Sequence, residues 1–226
     1  MQALTALGNA GSAARRAATT PALFRHIAAD LTRDEVVQTL LANPDARDAW
    51  HVLSDLLQQD GNPRGELLAI DLLLEVKADD ALAARHKAFF EANAAALLGE
   101  LLSQVVKEGY GAAKWQRGYV TELAYVGTPG LGHKRAVKWL ITAICTQPEA
   151  LTFLRKLDLH GTDVDDPSPL ACFKGLFELD LSNTAVKKLD WVGAFQSLRV
   201  VKVKGCRLET GALSAARVEF PKVKFG

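Results

Sequence analysis

The 226-residue chain has no run of apolar residues near the roughly 18 to 20 that a membrane-spanning helix needs. Nor does it have an excess of charge. Its 27 basic and 26 acidic side chains leave a net +1, so no molecule-wide field draws it to nucleic acid or an anionic membrane. Cysteines number three (Cys145, Cys172 and Cys206), an odd count far apart in sequence, which argues against a disulfide framework and for a reducing compartment. The N-terminal twenty residues lack the order of a secretory signal: Arg15 and Arg16 follow a weakly apolar, Ala-rich stretch instead of preceding a strong apolar core. These absences lead us to expect a cytoplasmic protein with no membrane partner. The five histidines (His26, His51, His86, His133 and His160) form no H-E-x-x-H or H-x-H pair, and there is no C-x-x-C and no G-x-S-x-G. A dedicated metal site is therefore not expected, and neither is a hydrolase nucleophile elbow. What is present, 49% hydrophobic and 23% charged residues, suffices for the core of one large or two small domains.

Residues 1–20 are Ala, Thr, Gly and Ser without periodicity and read as a poorly ordered tail. From residue 21 the pattern is helical. Leu23, Ile27 and Leu31 share one face. Thr32-Arg-Asp-Glu35 is a capping box opening a helix on Val36, Val37, Leu40 and Leu41 that stops at Asn43-Pro44. A further helix runs from about Ala46 to Gln59 on Trp50, Leu53 and Leu57, and ends at Gly61. Asn62-Pro-Arg-Gly65 reads as a tight turn before a helix over 66–75. Asp79 is a candidate cap for a helix burying Leu82, His86, Phe89 and Phe90, and 94–107 reads as another helix closed by Gly109. Residues 21–109 thus read as an α-helical bundle.

Beyond residue 110 the periodicity changes to a repeat. Leu154-Arg-Lys-Leu157-Asp-Leu159-His-Gly-Thr162 recurs 22 residues later as Leu176-Phe-Glu-Leu179-Asp-Leu181-Ser-Asn-Thr184. It returns after another 22 as Leu198-Arg-Val-Val201-Lys-Val203-Lys-Gly-Cys206. A final step of 22 gives Phe220-Pro-Lys-Val223-Lys-Phe225. An earlier copy, Val120-Thr-Glu-Leu123-Ala-Tyr125-Val-Gly-Thr128, precedes Leu154 by 34 residues, and a helix over 134–146 accounts for the longer gap. This spelling resembles the leucine-rich repeat, L-x-x-L-x-L-x-x-(N/C/T). It predicts short strands whose Leu, Val and Phe positions stack inward, while the residues between them face outward on a concave sheet. The ninth position (Thr128, Thr162, Thr184, Cys206) is expected to turn inward and satisfy backbone groups where the strand ends. The expected fold is therefore α/β: an N-terminal α-helical bundle capping a short C-terminal parallel-strand solenoid over 110–226.

The helical half carries a second resemblance. Leu53-Ser-Asp-Leu-Leu-Gln-Gln-Asp-Gly-Asn-Pro-Arg-Gly-Glu66-Leu67 is similar to the signature of the bacterial repeat-companion domain of myxobacterial and planctomycete type, approximately ADWLEE-x-GDPRGE-hydrophobic. Arg117-Gly-Tyr-Val-Thr-Glu122 resembles that family's next element. The chain departs from the signature at Ser54, Leu56 and Gln58. The resemblance implies an interaction module and brings no catalytic residue with it.

Several segments invite a chemical reading. Gly127-Thr-Pro-Gly-Leu-Gly132-His-Lys134-Arg135 compares with a phosphate-binding loop, but Lys134 is one residue late and no Ser or Thr follows it. A glycine-rich turn explains the segment better than a nucleotide-binding enzyme does. Asp163, Asp165 and Asp166 lack the Gly and Glu of a calcium loop and read as a turn leaving a strand. Cys145 and Cys172 read as core positions. Arg64 and Glu66 read as an ion pair or a helix-start contact.

The outward columns of the sheet carry the functional expectation. The register implied by the repeat places Glu122, Lys156, Glu178, Val200 and Lys222 in one column. Ala124, Asp158, Asp180, Lys202 and Lys224 form the next, and Val126, His160, Ser182 and Lys204 the third. The middle column segregates two acids from two lysines, an arrangement that stability alone does not favour. Residues 186–226 hold nine basic against three acidic residues, a net +6 that leaves −5 for residues 1–185. A bipolar face of this kind suits a bipolar or acidic protein surface. We therefore expect a non-catalytic protein-binding module, acting as an inhibitor, an immunity-type partner or an adaptor. It would use Lys156, Asp158, His160, Glu178, Asp180, Ser182, Val200, Lys202, Lys204, Lys222 and Lys224, with no cofactor and no small-molecule substrate. Nucleic-acid binding by the basic repeats is the alternative; the lack of aromatic platforms among those lysines argues against it.

Overall fold

The computed structural model describes residues 31–99, 103, 111–125, 144–146 and 149–226. The chain divides into two compact units, Met1–Ala92 and Asn93–Gly226. The expected helix over 21–31, the loop at 127–135 and most of the helix over 134–146 lie outside the described residues; of that last helix, residues 144–146 are helical and Ile144 is fully buried.

In the first unit, α1 (Arg33–Ala42) starts on the expected capping box: the Glu35 N–H donates to Thr32 Oγ1, and the Thr32 N–H donates to Glu35 Oε2 at 2.9 Å. Asn43 ends it. Helix α2 (Arg47–Gln59) presents Trp50, Leu53 and Leu57 to the core and closes through Gly61, whose φ of +68° lets the Asn62 N–H return to the Leu57 carbonyl. The expected tight turn at 62–65 is instead the start of α3 (Pro63–Leu74). The Asn62 side chain accepts from the Arg64 N–H, and Pro63 occupies the first helical position, where its missing N–H costs nothing.

Helix α4 (Asp80–Leu98) joins two segments expected to be separate helices. Asp79 Oδ1 accepts from the Leu82 N–H at its start, as expected. Gly99, with φ +75°, follows its last residue. Leu82, His86, Phe89 and Phe90 are half-buried and not the buried row expected of them. His86 has Asp71 Oδ1 2.9 Å from its Nε2.

The second unit is built on a six-stranded sheet in the order β1-β2-β3-β4-β5-β6. Strand β1 (Gly111–Gln116) was not foreseen. It pairs antiparallel with β2 (Tyr119–Tyr125) through the two-residue turn Arg117-Gly118, both at positive φ, which is the hairpin turn whose twist matches that of the strands. From β2 onward the pairing is parallel. Strands β3 (Lys156–Asp158), β4 (Glu178–Asp180) and β5 (Val200–Lys202) follow in the expected register: Glu122 faces Lys156 after 34 residues, Lys156 faces Glu178 after 22, and Glu178 faces Val200 after 22.

The connections repeat as well. Gly161, Asn183 and Gly205 take positive φ at 22-residue intervals, directly after the strands. Short 3₁₀ helices at Ser168–Cys172 and Asp190–Ala194 carry the chain back. The inward side is dry: Leu123, Leu157, Leu179 and Val201 are 0 to 1% exposed, and Leu159 and Leu181 are fully buried beside them.

Strand β6 (Lys224–Phe225) departs from the expected register by two residues. Val200 faces Lys224, and Val201 faces Phe225. The cause is the third connection, helix α5 (Ala212–Glu219). It begins 22 residues after the preceding 3₁₀ helix but runs for eight residues where the earlier connections run for five. The next strand therefore arrives late. Lys222 sits exposed in the turn before β6, outside the column assigned to it, and Lys224 moves from the second column to the first.

Candidate binding face

Each strand end is built by the same local device. At the expected inward position, Thr162 Oγ1 donates to the Leu159 carbonyl and Thr184 Oγ1 to the Leu181 carbonyl, both at 2.6 Å. Cys206 Sγ joins this ladder, 2.9 Å from the Leu181 carbonyl and 3.4 Å from Thr184 Oγ1. One position earlier in each coil, positive φ is required. Gly205 shows why: a Cβ there would lie 2.1 Å from Asn183 Oδ1. Asp158 Oδ1 accepts from the His160 N–H and Asp180 Oδ1 from the Ser182 N–H, each at 2.9 Å. The two outward aspartates therefore also tie down the turns, a role that repeat spelling alone did not disclose.

The outward face reads as two rows across the strands. The first runs Lys114, Glu122, Lys156, Glu178, Val200 and Lys224, and the second Ala112, Ala124, Asp158, Asp180, Lys202 and, beyond the ladder, Gly226. Signs alternate along much of the first row, and contacts between charges are more numerous than the single Asp180–Lys202 meeting that was expected. Glu122 takes Lys114 at 2.7 Å and Lys156 at 3.5 Å. Lys202 takes Glu178 on the diagonal at 2.7 Å and Asp180 at 3.4 Å. The bond from Lys114 holds the Glu122 carboxyl below the usual carboxylate range. The Glu178 carboxylate raises Lys202 above the usual ammonium value. Burial works against ionising Asp180, but the Ser182 N–H and hydroxyl and the Lys202 ammonium together outweigh it and keep that carboxyl low.

These side chains border a hollow of about 250 Å³ lined by residues of β1 to β5. Of the expected contact residues, it brings together Lys156, Asp158, Glu178, Asp180 and Lys202. Val200 is half-exposed on the same sheet face, and His160 and Lys204 are exposed beyond the strand ends, with His160 Nε2 3.5 Å from Asn183 Nδ2. Ser182 is 9% exposed and turned to the structure, which takes it out of the set a partner can reach. Val126 lies outside the described residues.

Sequence reasoning missed Lys114, Ala112 and Ala113, because an Ala-rich strand has weak alternation. It also missed Phe177, which is 37% exposed with the Arg155 guanidinium 5.3 Å from its ring centre. The signal was available: Phe177 stands in the repeat column between Arg155 and Arg199, where an aromatic is out of pattern.

The other candidates resolve into structure. Asp166 Oδ1 accepts from the Ser168 N–H and hydroxyl, which lowers its pKa and caps a 3₁₀ helix as the turn reading expected. Glu66 pairs with Arg85 at 2.7 Å, not with Arg64, which is buried in α3. Cys145 is half-buried and burial pushes its thiol up, whereas Cys172 is exposed and not a core residue. The two thiols, 27 positions apart in sequence, are close enough to perturb each other. Among the described residues, no group of three His, Cys, Asp or Glu is placed to hold a metal, and no helix is long and apolar enough to cross a membrane.

The chain matches no protein-family model and no curated protein sequence.

Proposed function

We propose that the second unit is a short leucine-rich repeat array and that the chain is a non-catalytic protein-binding module, regulating or sequestering another protein through the outward sheet face. The observation that carries this is the division of labour within each strand. One side chain is fully buried in a stacked apolar row, and its neighbours project charge onto a hollowed face. Reach also supports it. Six strands about 4.8 Å apart make a face roughly 24 Å across, the scale of one helix or one extended segment of a partner. A standard interface of about 1,600 Å² would draw on surfaces beside the sheet. In the first unit, Ser54 and Gln58 both donate to the Gly65 carbonyl, so two departures from the companion-domain signature converge on one backbone atom and keep the helix pair that the resemblance implies. The proposed setting is the bacterial cytosol.

Affinity purification of the full chain from its native cell at low salt, followed by titration of the co-eluting protein, tests the proposal. Lys204→Glu with Lys224→Glu should weaken affinity about tenfold while leaving the melting temperature within a few degrees, because neither lysine is in an ion pair among the described residues. Absence of a stoichiometric protein, or an affinity indifferent to both reversals, would overturn it. Retardation of nucleic acid that weakens steeply with salt would favour the alternative.

A further inference from the structure

The hollow has an internal asymmetry that defines one feature of its occupant. Asp158 sits in the second row between Ala124 and Asp180. Its two row neighbours thus offer one side chain without charge and one of the same charge. Lys156, two residues back on the same face, is drawn to Glu122 instead. Lys202 is engaged by Glu178 and Asp180. Among the described residues no cation lies within ion-pair distance of Asp158, whose one recorded bond is from the His160 N–H. Beside it, Ala112, Ala113 and Ala124 line the same hollow with nothing larger than a methyl group. The hollow therefore presents an uncompensated carboxylate next to a small apolar floor.

The counter-charge on this face is remote. Lys224 lies three strands away, about 14 Å, which is beyond a Debye length of about 8 Å at physiological salt. The field over β2 and β3 is consequently negative, and that over β6 positive.

We propose that the partner places a basic side chain, an arginine or lysine, in this hollow. Its aliphatic stem would lie over Ala112, Ala113 and Ala124 and its cationic head against Asp158, with the same segment running toward acidic residues over Lys224. The proposal rests on the reading of this face as a protein-binding surface and adds the charge and the direction of what binds. A basic side chain matches both parts of the site, since its stem buries on apolar surface while its head keeps a charged partner. It also relieves the Asp158–Asp180 juxtaposition, which the free protein bears without compensation on the Asp158 side.

The test uses isotope-labelled full-length protein and N-acetyl-arginine amide as probe, at low salt, followed by NMR. We expect saturable shifts of the Ala112, Ala124 and Asp158 amides, and no saturation with the neutral isostere N-acetyl-citrulline amide. Asp158→Asn, which retains the acceptor for the His160 N–H, should weaken probe binding about fivefold or more while its melting temperature is unchanged or higher. An equal response to citrulline, no saturable response to arginine, or full affinity in Asp158→Asn would overturn the proposal. The two readings fail separately. If the probe fails while the Lys204 and Lys224 reversals still weaken a protein partner, the basic-side-chain assignment falls and the binding face stands. If the probe binds and those reversals change nothing, the hollow stands and the wider face does not.

Discussion

At the scale of single residues, close approach decides more than composition suggests. Gly65 lies within α3, where alanine would be the better helix former by up to about 1 kcal/mol. A Cβ at this position would meet the Gln58 backbone nitrogen at 2.6 Å and Leu57 Cβ at 2.9 Å, so helix propensity and packing point in opposite directions. Packing should win. Gly65→Ala is expected to lower stability by roughly 1 to 3 kcal/mol in urea denaturation, since backbone on α2 cannot move aside as a flexible side chain would. The glycine was visible in the motif; the reason for it was not, because α2 reaches it from elsewhere in the chain. The hydroxyl ladder of Thr162 and Thr184 was legible, because a polar residue recurring at a fixed place after an apolar strand has to satisfy backbone there.

At the scale of elements, the parallel strands β3 to β5 are held by what lies beneath them more than by their length of three residues each. Leu179 is fully buried at the centre of the row, between Leu157 and Val201. Leu179→Ala should cost about 2 to 5 kcal/mol, read as a fall in the denaturation midpoint, because rigid neighbours on both sides leave the cavity open. Lys202 is the corresponding element-level contact on the outward side. Lys202→Glu would bring a third carboxylate to Glu178 and Asp180, and a lower melting temperature is expected, in contrast to Lys204→Glu, whose site has no recorded ion pair. Register up to β5 followed from the 22-residue spacing alone. Register at β6 did not, because the length of α5 is set by how that connection packs, and a repeat spelled every 22 residues conceals two extra residues taken up by a helix.

At the scale of the whole molecule, the near-neutral net charge hides an organised distribution whose stability depends on pH at both extremes. Glu122, Asp166 and Asp180 titrate below their ordinary values of 4.5, 3.8 and 3.8, so the unfolded chain binds protons more readily in acid than the folded one. Their contribution is full above those ordinary values and is lost as pH falls through the lowered folded ones. Lys202 titrates above its ordinary 10.5, so its contribution is present below that value and is lost as pH rises through the higher folded one. Urea midpoints measured against pH should therefore form a plateau through neutrality with losses at both ends, and Asp180→Asn should soften the acid edge. The sequence by itself determined the apolar row, the inward threonines, the capping box of α1 and the alternation that sends charge outward, because each depends on spacing within one short stretch of chain. Tertiary structure alone decided which charges meet, where β1 adds a strand, why β6 slips, and that Asp158 is left without a cation. Those outcomes depend on distances between residues 22 or more positions apart, which spacing along the chain does not contain.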